Sequence, residues 1–415
     1  MELKPRSYEK ICRLLQKGVD IPNPLTLDIG NEVNVDQISE NGVRIYPGCR
    51  IYGRNTVISA GSQIGYEAPA TIENCQLGEK VELKGGYFSQ SVFLAQAKMS
   101  MGAHVREGSI LEEQANGAHC VGLKQTILFP FVTLGSLINF CDCLMAGGTS
   151  RRNHSEVGSS YIHFNFTPDA DKTTPSLIGD VPRGVMLNQP PIFLGGQGGM
   201  VGPLRIGYGN VVAAGAILRN DHPEDNKLIF EMTRFRGERD YTPAAYFNIR
   251  RIVENNIRYL ANLTALEAWY THVRKPFLVA REFGLLIYAG VMDQLRLARQ
   301  ERLKRLRAMA EKAVAPPSAG RKQAPAGDRD TFYNQIEPLE GLFSGLLQDD
   351  ITGKLRETFL RDFQKAAGKS RTDYIETMQH LPAVTASGGT RWLGGIVDIL
   401  CENASRTMPS LNLFK

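Results

Sequence analysis

Large aliphatic residues recur at every sixth position between residues 194 and 218: Leu194, Met200, Ile206, Val212 and Leu218. Small residues stand between them, among them Gly195, Gly196, Gly199, Gly202, Ala213, Ala214 and Gly215. A helix repeats near 3.6 residues and a lone strand near 2, so a period of six fits neither by itself. It fits a solenoid of short strands joined at tight corners, with one aliphatic residue per strand turned inward. The same ruler opens at Ile45, Ile51 and Val57, and holds at Val81, Tyr87, Phe93, Met99, Val105, Leu111, Leu123 and Phe129. Gln63, Pro69, Gly117 and Gly135 break the frame, and Ile64-Gly65 and Leu77-Gly78 mark slips of phase. Between Ala146 and Pro191 the period is interrupted, although Val157-Gly158 and Leu177-Ile178-Gly179 still read as coil starts. The polar stretch His163 to Ser176 reads as a loop thrown out on one face, where solenoids carry function. His163 falls one residue before a core-facing position in this frame.

The expected fold is therefore mainly β, a left-handed parallel β-helix of hexapeptide repeats followed by an α-helical C-terminal region. The boundaries read as an N-terminal helix and cap over 1–42, the β-helix over 43–220 and a helical region over 221–315. A flexible Pro/Ala/Gly linker over 316–329 and a mostly helical tail over 330–415 complete the chain. The 41 glycines suit a fold with many corners, and the net charge of +5 demands neither nucleic acid nor a membrane surface. The basic run Arg296, Arg299, Arg302, Lys304, Arg305 and Arg307 reads as a solvated helix face, since no groove-reading motif accompanies it. Seven cysteines without disulfide-like spacing point to reduced thiols. Cys141 and Cys143 lack two further ligands, so no metal is expected. The charged N-terminus has no apolar core of a secretory signal, and the longest apolar run is too short to span a bilayer. A cytoplasmic location is expected.

The stretch 194–218 also carries a resemblance. With VGSSYIHFNFTPDADKTTPSLIGD (157–180), it resembles the acetyltransferase domain of the bifunctional N-acetylglucosamine-1-phosphate uridylyltransferase/glucosamine-1-phosphate acetyltransferase family. The specific motifs cover about residues 140–220, and nothing after 225 is covered. The resemblance implies a homotrimer that uses acetyl-CoA as co-substrate to N-acetylate an amino-sugar phosphate or sugar nucleotide. Asn165 and Phe166 stand where the family has an Asn-Tyr pair lining the acceptor site; the phenyl ring lacks the hydroxyl. Gly196 stands in place of a serine beside the cofactor, Ala214 matches the small residue under the pantetheine, and Lys172 has a counterpart in the acceptor loop. The family's general base is a histidine, whose place is taken here by Asp142. The nearest histidine is His154, and imidazole suits deprotonation of a sugar ammonium at neutral pH. Catalysis is thus expected from His154 or Asp142, and phosphate binding from Arg151 and Arg152. No strand, Gly-rich loop and helix unit precedes the repeats, so uridylyl transfer is disfavoured. The rival from another class is a non-catalytic solenoid that binds a sugar nucleotide or scaffolds partners.

Overall fold

The computed structural model describes residues 4–231, 237–238, 244, 246–314, 326–344, 350–368 and 373–414. It is a parallel β-solenoid of about eleven turns with a helical C-terminal region. Each turn contributes a strand to three ladders. Face I stacks Arg44–Ile45 through Leu228–Ile229 in one ten-stranded sheet. Face II runs from Asp28–Ile29 through Ala103–Val105 to Ile162–Phe164 and Ile217–Leu218. Face III stacks Val57–Ile58, Gln76–Leu77, Ser91–Phe93 and Ser109–Leu111, and continues to Ser176–Ile178 and Arg205–Ile206. Two seven-residue strands, Gly122–Leu128 and Asn139–Met145, belong to faces II and III at once. They round the corner at Gln125 (φ 53°) and Asp142 (φ 57°), left-handed residues that turn the chain while its neighbours stay paired. The strands therefore reach from Asp28 to Ile229, beyond both ends of the expected 43–220.

The inward column of face I reads Ile45, Ile64, Leu83, Met99, Gly117, Leu134, Val157, Leu194, Val212 and Ile229. The six-residue ruler holds from Met99 to Gly117 and from Leu194 to Val212. It slips by one or two residues at other coils, so Ile58, Leu83, Phe88 and Leu128 occupy ladder positions expected of Val57, Val81, Tyr87 and Phe129. Tyr87 faces out and donates from its hydroxyl to Glu73 Oε2 at 2.9 Å. The strand at Ile162–Phe164 is likewise one residue off expectation. His163 points inward between Phe140 and Met200, and Phe164 faces solvent.

Close stacking makes some corner glycines obligatory. A Cβ on Gly195 would lie 2.4 Å from the backbone nitrogen of Ala214 and 2.6 Å from Ala213 C. Backbone atoms of the next coil cannot swing aside as a side chain would. Gly195→Ala is expected to cost about 2 kcal/mol or more through overpacking, read as a lowered urea midpoint; an unchanged midpoint would refute the tight corner.

Among the described residues, ten helices accompany the coil: α1 (Tyr8–Lys17), α2 (Val181–Gly184), α3 (Ile249–Trp269), α4 (Lys275–Val279), α5 (Gly284–Ala313), α6 (Ala326–Asn334), α7 (Ile336–Ser344), α8 (Asp350–Ala367), α9 (Tyr374–Gln379) and α10 (Ala383–Thr407). Helix α1 covers the first coil, with Ile11 and Leu14 buried. Of the expected linker, residues 316–325 lie outside the described residues, and α6 begins at Ala326. The last helices are docked: Trp269 of α3, Phe359 of α8 and Trp392 of α10 stack with ring centroids 5.7–6.4 Å apart.

Helix α5 lies along the II/III corner. Its Gly290 sits against Gln76, Gln294 accepts from Gly108 N at 2.8 Å, Arg302 meets Asp142, and Met309 receives the Thr173 hydroxyl at 3.4 Å. From Gly290 to Arg302 the helix rises ~18 Å at ~1.5 Å per residue. The coils of Gln76 and Asp142 are four ladder steps apart, which at ~4.8 Å each is ~19 Å. The two rods keep pace.

A π-helical segment, Tyr270–Arg274, joins α3 to α4. Its extra residue per turn aims Tyr270 at Glu112, and Arg274 at Glu113 at 2.6 Å. Burial raises the Glu112 carboxyl to about 7.

Candidate functional site

The residues singled out from the sequence distribute over all three corners of the prism. Adjacent corners are separated by one face, about five residues or ~17 Å of extended chain.

At the II/III corner the chain leaves face II at Phe164 and rejoins face III at Ser176, and the intervening loop carries Asn165, Phe166 and Lys172. The loop is tied to the helical region: Tyr246 donates to Asp171 Oδ2 at 2.8 Å, Asn256 to Thr173 O at 3.1 Å, and Arg302 to Lys172 O at 3.2 Å. Beside it opens a cavity of about 170 Å³. Asn165, Lys172 and Asp142 line it with Asn139, Cys141, Glu301 and four further cations, Arg106, Lys124, Arg302 and Arg305. Three of the cations are balanced: Lys124 by Glu107 at 2.7 Å, Arg305 by Glu301 at 2.7 Å and Arg302 by Asp142 at 2.8 Å. Arg106 and Lys172 have no ion-pair partner among the described residues, so the cavity carries surplus positive charge. Burial lifts the Cys141 thiol to about 11, which keeps it protonated and a poor nucleophile at neutral pH. Phe166 is exposed and does not line the cavity.

Asp142 is 4% exposed. Its Oδ1 accepts from Arg302 and its Oδ2 from the Thr174 hydroxyl at 3.4 Å, so taking a substrate proton would require breaking the ion pair. Arg302 is itself buried, which corrects the reading of its basic run as a solvated face. Arg299 pairs with Glu267, and Arg307 with Glu340. The signal was present: Leu295, Ala298, Arg302, Leu306 and Met309 fall at helical spacing on one buried stripe.

At the III/I corner a small antiparallel finger, Gly148–Ser150 with Asn153–His154, projects from the coil. Arg151 lies back along the corner and donates to Gln114 O (3.2 Å), Phe131 O (2.7 Å) and the Thr133 hydroxyl (2.9 Å), holding the coils together. Arg152 is exposed. His154 places Nδ1 2.9 Å from the Arg151 carbonyl. A carbonyl only accepts, so Nδ1 carries a proton, and Nε2 lies 3.7 Å from Glu156 Oε2. An imidazole held through Nδ1 presents Nε2, beside the Glu156 carboxylate, as the atom that accepts a proton when the ring is neutral.

At the I/II corner Gly196 and Ala214 lie on successive coils beside Gly195 and Ala213. A Cβ on Gly196 would stand 2.9 Å from Ser159 O, so a serine there would push on the neighbouring coil. The surfaces flanking this corner are apolar: Phe193, Val211 and Leu228 on face I, and Ile162, Phe164 and Val201 on face II, are all exposed.

With this geometry in place, comparison with known proteins is informative for half of the chain. No family model matches. The chain is 27% identical over 217 residues to the bifunctional protein GlmU of Thermotoga maritima, covering 52% of this chain and 42% of that protein. It is 27% identical over 219 residues to GlmU of Pelobacter propionicus and 26% identical over 207 residues to GlmU of Synechococcus elongatus, with coverage of 52% and 42%, and 50% and 40%. The chain thus spans about two-fifths of the length of the curated relatives it matches. Its solenoid half resembles GlmU.

Among solved structures, the crystal structure of the polySia specific acetyltransferase NeuO is matched at 8% identity over 52% of this chain and 86% of that one, with a TM-score of 0.13, too low to carry an argument. Arg106, Lys124, Arg302 and Arg305 were not recognised as site residues from the sequence. Lys124 lies on a regular strand and Arg106 directly follows one, and the last two come from a helix that no repeat connects to the coil. No helix among the described residues is long and apolar enough to cross a membrane.

Proposed function

We propose that the protein is a hexapeptide-repeat transferase that moves an acetyl group from acetyl-CoA to the amine of a sugar phosphate or sugar nucleotide. The observation that carries this reading is the cationic cavity at the II/III corner, where Asn165 and Lys172 meet Arg106, Lys124, Arg302 and Arg305. Unbalanced Arg and Lys side chains suit a phosphate, and an amide beside them suits sugar hydroxyls. The small residues at Gly196 and Ala214 leave room for a pantetheine arm close to the coil. The sugar ammonium first gives one proton to solvent; as the free amine attacks the thioester carbonyl, Nε2 of His154 takes a second proton from its nitrogen. Backbone N–H groups hold the oxyanion, the C–S bond breaks, and CoA leaves with the proton returned by His154.

These parts lie on three corners of one subunit, so a complete site requires neighbouring subunits, and a homotrimer supplies them. The exposed apolar residues flanking Gly196 and Ala214 are the surface such an assembly would bury.

Thiol release from acetyl-CoA with glucosamine-1-phosphate tests the reading. Lys172→Ala is expected to raise KM about tenfold with kcat nearly unchanged, because a phosphate contact is kept from ground state to transition state. His154→Ala is expected to lower kcat by about 10²-fold or more. Absence of thiol release across a panel of amino-sugar phosphates and nucleotides would sink the enzyme reading. The full engagement of Asp142 and Arg151 favours, as a second reading, a solenoid that binds a sugar nucleotide without transforming it. Binding of the nucleotide without thiol release would be its signature. Pyrophosphate release from UTP with N-acetylglucosamine-1-phosphate would revive uridylyl transfer.

A further inference from the structure

A second cavity, of about 310 Å³, opens where the N-terminal half of α5 leaves the II/III corner, several coils from the cationic one. Its polar lining is made of side-chain amides: Gln37, Asn55, Asn74, Gln76 and Gln90 from the coils and Gln294 from the helix. The two ionised groups at its edge, Asp293 and Arg296, neutralise one another at 3.0 Å. The lining therefore has no net charge. Val57, Leu286, Ala289 and Leu297 add an apolar strip.

Two of the amides are unusual. Gln76 is 5% exposed and donates from Nε2 to Asn55 O at 2.6 Å, which fixes its other end as the oxygen. That Oε1 has no hydrogen-bond partner. It faces Gly290, where a Cβ would lie only 2.2 Å away. Gln294, also 5% exposed, spends its oxygen on Gly108 N at 2.8 Å, and its Nε2 has no partner among the described residues. A buried amide oxygen without a donor costs about 1–3 kcal/mol. The fold retains one here, sealed under α5, and the cleft beside it holds an amide donor with no acceptor among the described residues, Gln294 Nε2.

We propose that this cleft binds a neutral carbohydrate. A sugar hydroxyl donates and accepts at once, so one hydroxyl can accept from Gln294 Nε2 while it donates to a neighbouring amide oxygen of the cleft. The side-chain amides of Asn55 and Gln90 present the same dual chemistry to neighbouring hydroxyls. The apolar strip of Leu286, Ala289 and Leu297 matches the C–H face of a pyranose ring. The absence of surplus charge disfavours phosphorylated sugars, which separates this cleft from the cationic cavity. At ~300 Å³ it stands at the small end of ligand sites, the size for one sugar residue or two. The inference stands apart from the transferase reading, since neither cavity lining contains a residue of the other.

Saturation-transfer NMR on the full chain tests it, with glucose and N-acetylglucosamine as probes, glucose-1-phosphate as the charged comparison and a Gly-Gly-Gly peptide as the amide comparison. A neutral sugar is expected to bind with a Kd of ~1 mM. Ala289→Trp, an exposed helix position that fills the cleft, should abolish the signal. Gln90→Ala, also exposed, should weaken it about tenfold, and Lys172→Ala should leave it unchanged. Circular dichroism establishes that each variant is folded; should Ala289→Trp not fold, Gln90→Ala carries the test. No signal from either neutral sugar at ~10 mM, signals unmoved by the cleft variants, or stronger saturation of the peptide or the sugar phosphate would each overturn the proposal. Loss of the signal in Lys172→Ala alone would reassign the sugar to the cationic cavity and equally overturn it.

Discussion

Replacing Arg302 by methionine is expected to destabilise the protein by about 3–5 kcal/mol. The size of the effect follows from burial on both sides of the pair: the Arg302 side chain is 2% exposed and that of Asp142 5%. Without the guanidinium, a carboxylate remains under α5 with only the Thr174 hydroxyl at 3.4 Å to compensate it. The attraction between buried charges offsets their desolvation only while both are present. Asp142→Asn with Arg302→Met is therefore expected to recover to within about 1 kcal/mol of the parent, because no charge is stranded. Asparagine also tolerates the left-handed corner at φ 57°. A double-mutant cycle in urea midpoints, with tryptophan fluorescence and circular dichroism as probes, measures the coupling. Single substitutions costing less than about 1 kcal/mol would show that water reaches the pair.

The acid limb of the stability profile is expected to depend on His163. The ring occupies a core position between Phe140 and Met200, with Nε2 2.8 Å from the Ser176 hydroxyl. Burial depresses its pKa from 6.5 to about 3. The folded state keeps the imidazole neutral while the unfolded chain takes up a proton below 6.5. Stability from this residue is thus complete above pH 6.5 and is lost as pH falls toward 3, on the order of 5 kcal/mol in all. Glu112 acts in the opposite sense. Its carboxyl, raised from 4.5 to about 7, holds a proton in the fold that the unfolded chain releases, so its contribution is complete below pH 4.5 and is lost as pH rises to about 7. The two slopes oppose one another between pH 4.5 and 6.5, where their sum is nearly flat. His163→Met, which extends the column with a side chain matching Met200, should flatten the acid limb. Glu112→Gln should remove the fall toward neutrality. Superimposable profiles of parent and His163→Met below pH 4.5 would contradict the assignment.

The solenoid was legible in the sequence because its rule is local: one large aliphatic residue per short strand leaves a mark every six positions. Met99 to Gly117 and Leu194 to Val212 obey it, and the frame fails where coils change length, as at Ile58 and Phe88. His163 was misplaced for a related reason. Phe164 looks the better core residue by hydrophobicity, but pairing with Phe140 and Met200 sets the register, and a one-residue shift reverses which side chain faces in.

The candidate site was only partly readable. Asn165 and Lys172 lie in the loop expected of them, whereas Arg302 and Arg305 come from α5, more than a hundred residues away, and no local pattern announces where a helix will dock. Asp142 and His154 lie on one coil and Gly196 two coils later, and the three sit on different corners. That separation arises from the finger after Met145 and from the long loop after Phe164, and strand counting alone does not supply it.

The matched rise of α5 and the coil has a consequence for how the two halves are aligned. One ladder step of ~4.8 Å corresponds to ~3.2 helical residues, close to a full turn. Sliding α5 by one coil would therefore bring nearly the same stripe of side chains back onto the corner, at little loss of apolar contact. Two rods with near-commensurate periods need a mark that tells one notch from the next. Asp142 meeting Arg302 provides that mark, since a slip of one notch strands two buried charges at once. By the same reasoning, a coil gained or lost between Gln76 and Asp142 must be answered by about three residues in α5, so the lengths of the two elements can change only together.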